Sequence, residues 1–324
     1  MDPSPFLRGN PWPGTPKVPY PRAKPDDAMR LPVDTWYQAQ APIGVRLELR
    51  GDASEVEIAY GRAHGRPDPH SRSVRPAFAS WRGDTKIGEA DAPPGEGTVR
   101  VPLGDVIYLP EVLRPQITSV EGIGGSIEPA PAGPRWAVYG DSIAAGWNAS
   151  EPALAWVNRV ARAHSLNGIN LGYTGSARGE IVTAEHLADL PADVITIGHG
   201  TNCWTRTPHS VGMLLEGTVA FLEVVRQGHP ETPILVVSPV IRPDAEETPN
   251  RLGATLRDLR AAIENVVRAR MEAGDERLEL LAGGELITEA QLEDGLHPDD
   301  DGHHAIAVAV GPRVAALAGV RAEA

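Results

Sequence analysis

Cysteine is nearly absent from this sequence of 324 residues, which contains only Cys203. An intramolecular disulfide is therefore impossible, and this excludes a disulfide-stapled secreted scaffold and a cysteine-rich zinc module. Basic residues are also in deficit, with 30 Lys and Arg against 43 Asp and Glu and a formal net charge of −13. This acidic balance argues against nucleic acid or an anionic membrane surface as the main partner.

Long apolar runs are missing as well. The longest candidate, 305–320, is interrupted by Pro312 and Arg313, so no membrane-spanning helix is expected. The sequence begins Met1-Asp2-Pro3 and has no basic stretch followed by an apolar one, which predicts that there is no signal peptide. These absences favour a cytoplasmic protein.

Glycine and proline, by contrast, are abundant, with 34 and 31 residues and no regular period. This composition predicts many turns and short strands rather than collagen. Eight of the prolines lie within residues 1–27, where they exclude a helix or a central strand. We expect this segment to be an extended arm that lies on the surface or on a neighbouring molecule, or to be disordered.

Residues 28–130 have the pattern of an all-β unit. Apolar and polar side chains alternate over 45–50, and again over 55–60 after the turn signal Gly51-Asp52, as in half-buried strands. Further short extended segments are predicted at 78–81, 98–101, 106–109 and 116–120. No helix is predicted in this region, and the pattern favours an antiparallel β-sandwich.

From residue 131, after a linker rich in proline and alanine, short apolar runs alternate with helical stretches. Strands are predicted at 136–139, 168–171, 194–197, 234–237 and 278–281. Helices are predicted at 153–164, 178–190, 211–227, 251–273 and 301–318. Strands that alternate with helices of this length indicate βαβ units, so residues 131–324 are predicted to form an α/β domain with a doubly wound parallel sheet.

Polar residues follow the predicted strands at the points where the strands end. Ser142 follows the first strand, Gly172 the second and Asn202 the third, while Asp294 and His297 precede the last helix. Because ligands bind at the carboxyl ends of the strands in an open parallel sheet, we expect these five residues to gather at one edge.

This combination suits acyl transfer. A serine hydroxyl is a weak nucleophile and needs an adjacent base such as His297, which a carboxylate three residues away can orient. The oxyanion formed during acyl transfer needs donors, and the N–H groups of Ser142 and Gly172 and the amide of Asn202 could supply them. The structural alternatives are that Ser142 caps the following helix and that Asn202 is a turn residue.

The sequence resembles the SGNH (GDSL-like) hydrolase superfamily. Gly140-Asp141-Ser142-Ile143 matches its first block, Gly172 its second, Gly200-Thr201-Asn202 its third and Asp294-x-x-His297 its last. The resemblance implies a flavodoxin-like fold with Ser142 as nucleophile, His297 as base and Asp294 as the residue that orients it. It also implies that Gly172 and Asn202 are oxyanion donors. Cys203 stands where the third block usually has aspartate. In the β region before residue 131, Gly104-Asp105-Val106-Ile107-Tyr108 resembles a segment of the small domain that precedes some bacterial GDSL-like esterases.

Other residues near these blocks are candidates for contact with substrate, namely Trp147, His199, Trp204 and Arg242. Each has a structural alternative, such as core packing or a solvated loop charge. His303 and His304 suggest a metal site, but no second cluster has ligand spacing, and we expect neither a metal nor a cofactor. Cys203 is expected to be a buried apolar residue.

The predicted function is that of a serine esterase that removes a small acyl group, acetyl in the first instance, from a sugar or glycosylated metabolite. The same residues would serve a thioesterase or a transacylase in a biosynthetic pathway. A non-enzymatic alternative is a carbohydrate-binding protein with a vestigial site. The partner is expected to be a small-molecule ester, and a homo-oligomer is compatible with the sequence.

Overall fold

A computed structural model describes residues 1–15, 17–63 and 75–320 of the chain. Pro16 in the predicted arm, residues 64–74 in the predicted sandwich and residues 321–324 lie outside this description. The described residues form antiparallel sheets followed by a parallel sheet with helices. This arrangement confirms the predicted fold class.

In the N-terminal part, the described residues form nine strands in two sheets that enclose a common apolar core. The strands are β1 (Leu7–Arg8), β2 (Arg46–Gly51), β3 (Glu55–Ala63), β4 (Ala77–Arg82), β5 (Thr85–Asp91), β6 (Gly95–Pro102), β7 (Val106–Tyr108), β8 (Gln116–Ile123) and β9 (Ile127–Pro129). One sheet has the order β1-β2-β7-β4-β5, with β9 also paired to β2, and the other has the order β6-β3-β8. The apolar residues of the predicted alternation, such as Leu47 and Ile58, are fully buried between the sheets.

A helix, α1 (Val33–Ala39), precedes β2. The prediction that 28–130 contains no helix is wrong at this point. The helix has only two turns, which is too short for a helical period to be recognised in the sequence, and its Val33 and Tyr37 remain 86% and 42% exposed.

The parallel sheet consists of β10 (Arg135–Gly140), β11 (Asn167–Gly172), β12 (Val194–Gly198), β13 (Ile234–Val237) and β14 (Leu278–Leu281). Its order is β11-β10-β12-β13-β14, and every neighbouring pair is parallel. The helices of this part are α2 (Ser142–Ala145), α3 (Trp156–Ala163), α4 (Ile181–Asp189), α5 (Val211–Gly228), α6 (Pro243–Glu246), α7 (Leu256–Glu272) and α8 (Asp300–Leu317). Among the described residues, no helix has the length and hydropathy needed to cross a membrane.

The sheet is buried on both faces, as in other doubly wound folds. Ala137 and Tyr139 of β10 belong to the core that includes residues of α4, α5 and α7. Trp136 and Val138 face the opposite core, with residues of α3 and α8. Burial on both faces explains why β10 and β13 are continuous apolar runs in the sequence.

Two arginines from the N-terminal part cover the open edge of β11. Arg22 is fully buried and donates hydrogen bonds to the carbonyl oxygens of Asn170 (3.1 Å) and Gly172 (2.6 Å). Arg46 donates to the carbonyl of Gly168 at 2.9 Å. Three alternate carbonyls of the edge strand are thereby satisfied by side chains instead of by another strand.

Arg22 also joins the arm to α1, since it donates to the carbonyls of Gln38 and Ala41, both at 2.6 Å. Its burial lowers the pKa of the guanidinium to about 10. The Pro-rich segment is thus ordered where it is described, and it lies on its own chain.

We expect Arg22→Met to lower the free energy of unfolding by about 2–4 kcal/mol, because four buried carbonyls would lose their donors while the cost of burying a charge is relieved. Thermal and urea unfolding measure the change. The control is Arg50→Met, which breaks an ion pair with Glu128 whose side chains are 58% and 61% exposed. That pair should contribute less than about 1 kcal/mol. Equal effects of the two substitutions would contradict the role assigned to Arg22.

Candidate active site

Ser142 lies at the turn between β10 and α2, at the carboxyl edge of the parallel sheet. The helix cap is Asp141 and not Ser142, because the Asp141 carboxylate accepts a hydrogen bond from the N–H of Ile143 at 2.9 Å. Burial raises the pKa of Asp141 to about 6. The Ser142 hydroxyl is therefore not used for capping.

His297 connects Ser142 with Asp294. Its Nε2 lies 2.9 Å from Ser142 Oγ, and its Nδ1 lies 2.9 Å from Oδ2 of Asp294. With the proton on Nδ1, the ring donates to the carboxylate and Nε2 can accept the proton of the serine hydroxyl.

Asp294 is held in place by the backbone of the same turn. The N–H groups of Leu296 and His297 donate to its Oδ1 at 3.1 and 2.8 Å. Burial alone would raise the pKa of Asp294, but the hydrogen bonds from the ring and backbone of His297 and from Leu296 outweigh this effect and lower the pKa. The carboxylate is consequently charged at neutral pH and can stabilise a protonated His297.

Asn202 follows β12 in a short 3-10 helix, Thr201–Cys203. The preceding Gly200 has φ +129°, and a Cβ there would lie 2.7 Å from Cγ of Pro239, so only glycine fits this turn. The Asn202 side-chain nitrogen donates one hydrogen bond to the carbonyl of Ser176. An amide nitrogen carries two hydrogens, and the second N–H has no acceptor among the described residues, so it can bind an oxyanion.

The prediction that Gly172 supplies an oxyanion donor is corrected by its position. Gly172 is the last residue of β11, and its N–H donates to Oδ1 of Asn170 at 2.8 Å. Gly175, three residues later, lines the same cleft as Ser142 and Asn202. Its φ is +69°, and among the described residues nothing accepts a hydrogen bond from its N–H. Gly175 therefore replaces Gly172 as the candidate donor.

Ser142, Asn202 and His297 line an open cleft of about 710 Å³. Part of its wall comes from α1, so the N-terminal part of the chain contributes directly to the site. The lining residues are Val33, Asp34, Tyr37, Gln38, Ser142, Trp147, Thr174, Gly175, Asn202, Thr205, Arg206, Arg242, Leu296 and His297. Nothing in the sequence pattern indicated the contribution of α1, whereas Arg206 lies only four residues after Asn202 and could have been considered.

Two of the four predicted substrate contacts line the cleft. Trp147 packs against the catalytic candidate His297, with ring centroids 5.6 Å apart, and Arg242 is the second. Trp204 does not line the cleft: its indole N–H donates to the carbonyl of Thr248, and the guanidinium of Arg242 lies over its ring at 4.7 Å. Its position corrects the prediction, because Trp204 supports Arg242 from outside the cleft.

The prediction that His199 contacts substrate is also corrected. The residue is 3% exposed and does not line the cleft. Its ring packs against Tyr139 and Phe221, with centroids 5.7 Å away in each case. Burial lowers the pKa of His199 to about 4, so the side chain is a neutral core residue.

The remaining titratable candidates are structural. His303 is fully buried, with Nε2 3.1 Å from the carbonyl of Trp147, and burial lowers its pKa to about 4. Cys203 is also buried, which raises its thiol pKa well above the usual value. Within the part of the chain that the structure describes, no group of three or more His, Cys, Asp or Glu side chains is placed to hold a metal ion.

Comparison with solved structures shows the same architecture in other proteins. A salicylyl-acyltransferase, SsfX3, from a tetracycline biosynthetic pathway has 24% sequence identity and a TM-score of 0.82, with 97% of this chain and 96% of that chain covered. A family two carbohydrate esterase from Clostridium thermocellum, in complex with cellohexaose, has 14% identity and a TM-score of 0.64, with coverage of 86% and 93%. A carbohydrate esterase family 2 enzyme with a carbohydrate binding domain, from Corynascus thermopiles (Myceliophthora fergusii), has 15% identity and a TM-score of 0.61, with coverage of 85% and 93%.

These identities establish a shared fold, which includes the N-terminal β-sandwich because the matches cover most of the chain. No curated protein sequence matches the chain. The model of the GDSL-like lipase/acylhydrolase family, however, matches residues 135–315, which is more than half of the sequence and includes all four predicted blocks. The resemblance stated from those blocks is thereby confirmed, and the chain belongs to the GDSL-like lipase/acylhydrolase family.

Proposed function

We propose that this protein is a serine esterase that removes a small acyl group, acetyl in the first instance, from a sugar or glycosylated metabolite. The observation that carries the proposal is the hydrogen-bonded series from Ser142 Oγ through His297 to Asp294, with 2.9 Å at each step. The series opens into a cleft that also contains Asn202. Nucleophile and base within hydrogen-bond reach, with a third group that orients the base, are what covalent acyl transfer requires.

In the proposed reaction, Ser142 Oγ attacks the ester carbonyl while His297 Nε2 accepts the hydroxyl proton. The carbonyl oxygen becomes an oxyanion, and the N–H groups of Ser142, Gly175 and Asn202 stabilise it. His297 then gives the proton to the leaving alcohol, which departs and leaves the acyl group on Ser142. A water molecule, deprotonated by His297, attacks the acyl-enzyme and releases the carboxylic acid and the free serine.

The choice of a small acyl group and a polar alcohol rests on the form of the cleft. It is open and has both polar and apolar walls, with hydroxyl groups from Thr174 and Thr205 and aromatic rings from Tyr37 and Trp147. Aromatic faces with nearby polar groups are suited to sugar rings. Carbohydrate esterases among the structural neighbours support this choice.

Acyl transfer to a second alcohol is the alternative that a specific observation favours. The neighbour with a TM-score of 0.82 is named as a salicylyl-acyltransferase and is matched over 97% of this chain, the sandwich included. The chemistry would differ only in the last step, where an alcohol or thiol takes the place of water. A thioester donor would use the same residues.

The test is turnover of 4-nitrophenyl acetate, butyrate and octanoate, followed by acetylated sugars. We expect nitrophenol release that is fastest for acetate, because a short acyl group suits an open and partly polar cleft. Product analysis with and without an added alcohol separates hydrolysis from transfer. If a folded sample turned over none of the activated esters, with or without an added alcohol, the proposed activity would be contradicted, and the alternative of a carbohydrate-binding protein with a vestigial site would remain.

A further inference from the structure

Besides His297, three charged side chains line the cleft, and two of them have ion-pair partners. Asp34 forms a two-point ion pair with Arg178, at 2.9 and 3.1 Å, and Arg178 also pairs with Glu180 at 3.6 Å. Arg242 is paired with Asp244. Arg206 is exposed and, among the described residues, makes no hydrogen bond or ion pair. Among the described residues, Arg206 is therefore the one arginine of the cleft without a carboxylate partner, in a chain whose net charge is −13.

Arg206 is close to the proposed oxyanion loop. It lies one turn after Asn202, and its Nη1 lies 3.9 Å from the position that a Cβ would occupy on Gly175. A guanidinium offers two parallel N–H groups that match the two oxygens of a carboxylate. An anionic group of a substrate held near Gly175 is thus within reach of this side chain.

Arg242 provides a second, better-ordered donor. Its Nε and Nη2 donate to the two carboxylate oxygens of Asp244 at 2.8 and 3.0 Å, and its guanidinium lies over the Trp204 ring. The remaining nitrogen, Nη1, is buried and has no hydrogen-bond partner among the described residues. A buried donor without an acceptor is unfavourable, and a substrate oxygen would satisfy it once the side chain turned towards the cleft that Arg242 lines.

We infer that the substrate is an ester that carries a carboxylate, bound by Arg206 with Arg242 as a second donor. This inference rests on the proposed function and specifies its substrate class. A carboxylate is favoured over a phosphate because its single negative charge matches that of the one cleft arginine without a carboxylate partner.

The experiment compares pairs of esters that differ only in charge. One pair, 4-acetoxybenzoate and 4-acetoxybenzamide, places the carboxylate on the alcohol portion. The other pair, the mono-4-nitrophenyl ester of adipic acid and the corresponding adipamate, places it on the acyl portion. Each kcat/KM is divided by the rate of the uncatalysed reaction, so that intrinsic reactivity cancels.

At low salt, we expect the corrected kcat/KM of the charged member of one pair to exceed that of its neutral partner by about tenfold or more. This preference should be smaller at high salt. Arg206→Gln should reduce the preference to within about twofold. Arg206→Lys should retain part of it, because lysine keeps the positive charge but lacks the two parallel N–H donors of a guanidinium. Arg242→Gln should reduce the preference as well. The matched control is Arg277→Gln, which removes an exposed arginine next to the amino end of β14, at the opposite edge of the sheet.

Binding of 4-hydroxybenzoate and 4-hydroxybenzamide, measured by calorimetry, tests the same preference without turnover. If neutral esters are hydrolysed but neither charged member is preferred, the inference is wrong and the proposed function stands. If no ester is hydrolysed but 4-hydroxybenzoate binds more tightly than its amide in an Arg206-dependent way, the proposed function fails and the anion site stands. A preference that survives Arg206→Gln, or that Arg277→Gln reduces equally, overturns the assignment.

Discussion

Ser142→Ala is expected to lower kcat for ester hydrolysis by about 10⁴- to 10⁶-fold, as loss of the nucleophile does in other enzymes with a serine, histidine and acid. The fold should remain intact. The Ser142 hydroxyl bonds to His297 at the cleft, and Asp141, not Ser142, supplies the cap of α2. Loss of the hydroxyl therefore removes no contact that holds the helix. Steady-state kinetics and thermal unfolding of the same preparation measure the two effects.

The matched control for this prediction is Ser210→Ala. Ser210 caps α5 by accepting a hydrogen bond from the N–H of Met213 at 3.2 Å. Its replacement should cost about 1 kcal/mol of stability and leave turnover unchanged. A serine-directed phosphonate should label the wild-type protein at Ser142. Labelling at Cys203, or substantial turnover by Ser142→Ala, would contradict the proposed role of Ser142.

Asn202→Ala is expected to lower kcat by about 10²- to 10³-fold, which is the usual cost of removing one oxyanion donor. The loss should appear in kcat with little change in KM, because the hydrogen bond strengthens only as charge develops on the oxygen. Stability should fall by about 1 kcal/mol, since the carbonyl of Ser176 also loses its donor. Kinetics and melting curves of the variant test both parts.

Cys203→Ala is the neighbouring control for Asn202. It alters the same short helix at a side chain that is buried and that we place in no catalytic role. We expect it to change stability and to keep most of the turnover. If instead Asn202→Ala melted early but kept near wild-type kcat, Asn202 would be a turn residue, as the structural alternative holds.

The order of strands and helices was predictable because burial on both faces of a parallel sheet leaves a simple signal. Each inner strand is a short apolar run, and the intervening helices have their own periodicity. The sequence alone therefore places at one edge of the sheet the polar residues that follow β10 and β12 and those in the turn before α8. Three of these residues line one cleft, namely Ser142, Asn202 and His297. Asp294 lies behind them and is hydrogen-bonded to His297.

The choice between Gly172 and Gly175 was not predictable in the same way. Both glycines follow closely on the same apolar run, and the sequence does not mark where the strand ends. The structure continues β11 to Gly172 and uses its N–H for Asn170. The same limit applies to His199 and Trp204, because proximity in sequence to a strand end does not determine whether a side chain turns towards the cleft or into the core.

The sequence by itself determined the two-part architecture, the parallel sheet and the residues at its strand ends, because these follow from local periodicity and from the geometry of parallel strands. Only the tertiary structure decided how the N-terminal part takes part in the site. Arg22 and Arg46 bind the open edge of β11, and the hydrogen bonds from Arg22 hold the end of α1 beside it. The contacts with β11 join residues more than a hundred positions apart, and no local pattern encodes them. They bring Val33 and Tyr37 to the cleft, since unsatisfied carbonyls on a buried sheet edge must find donors wherever the folded chain provides them.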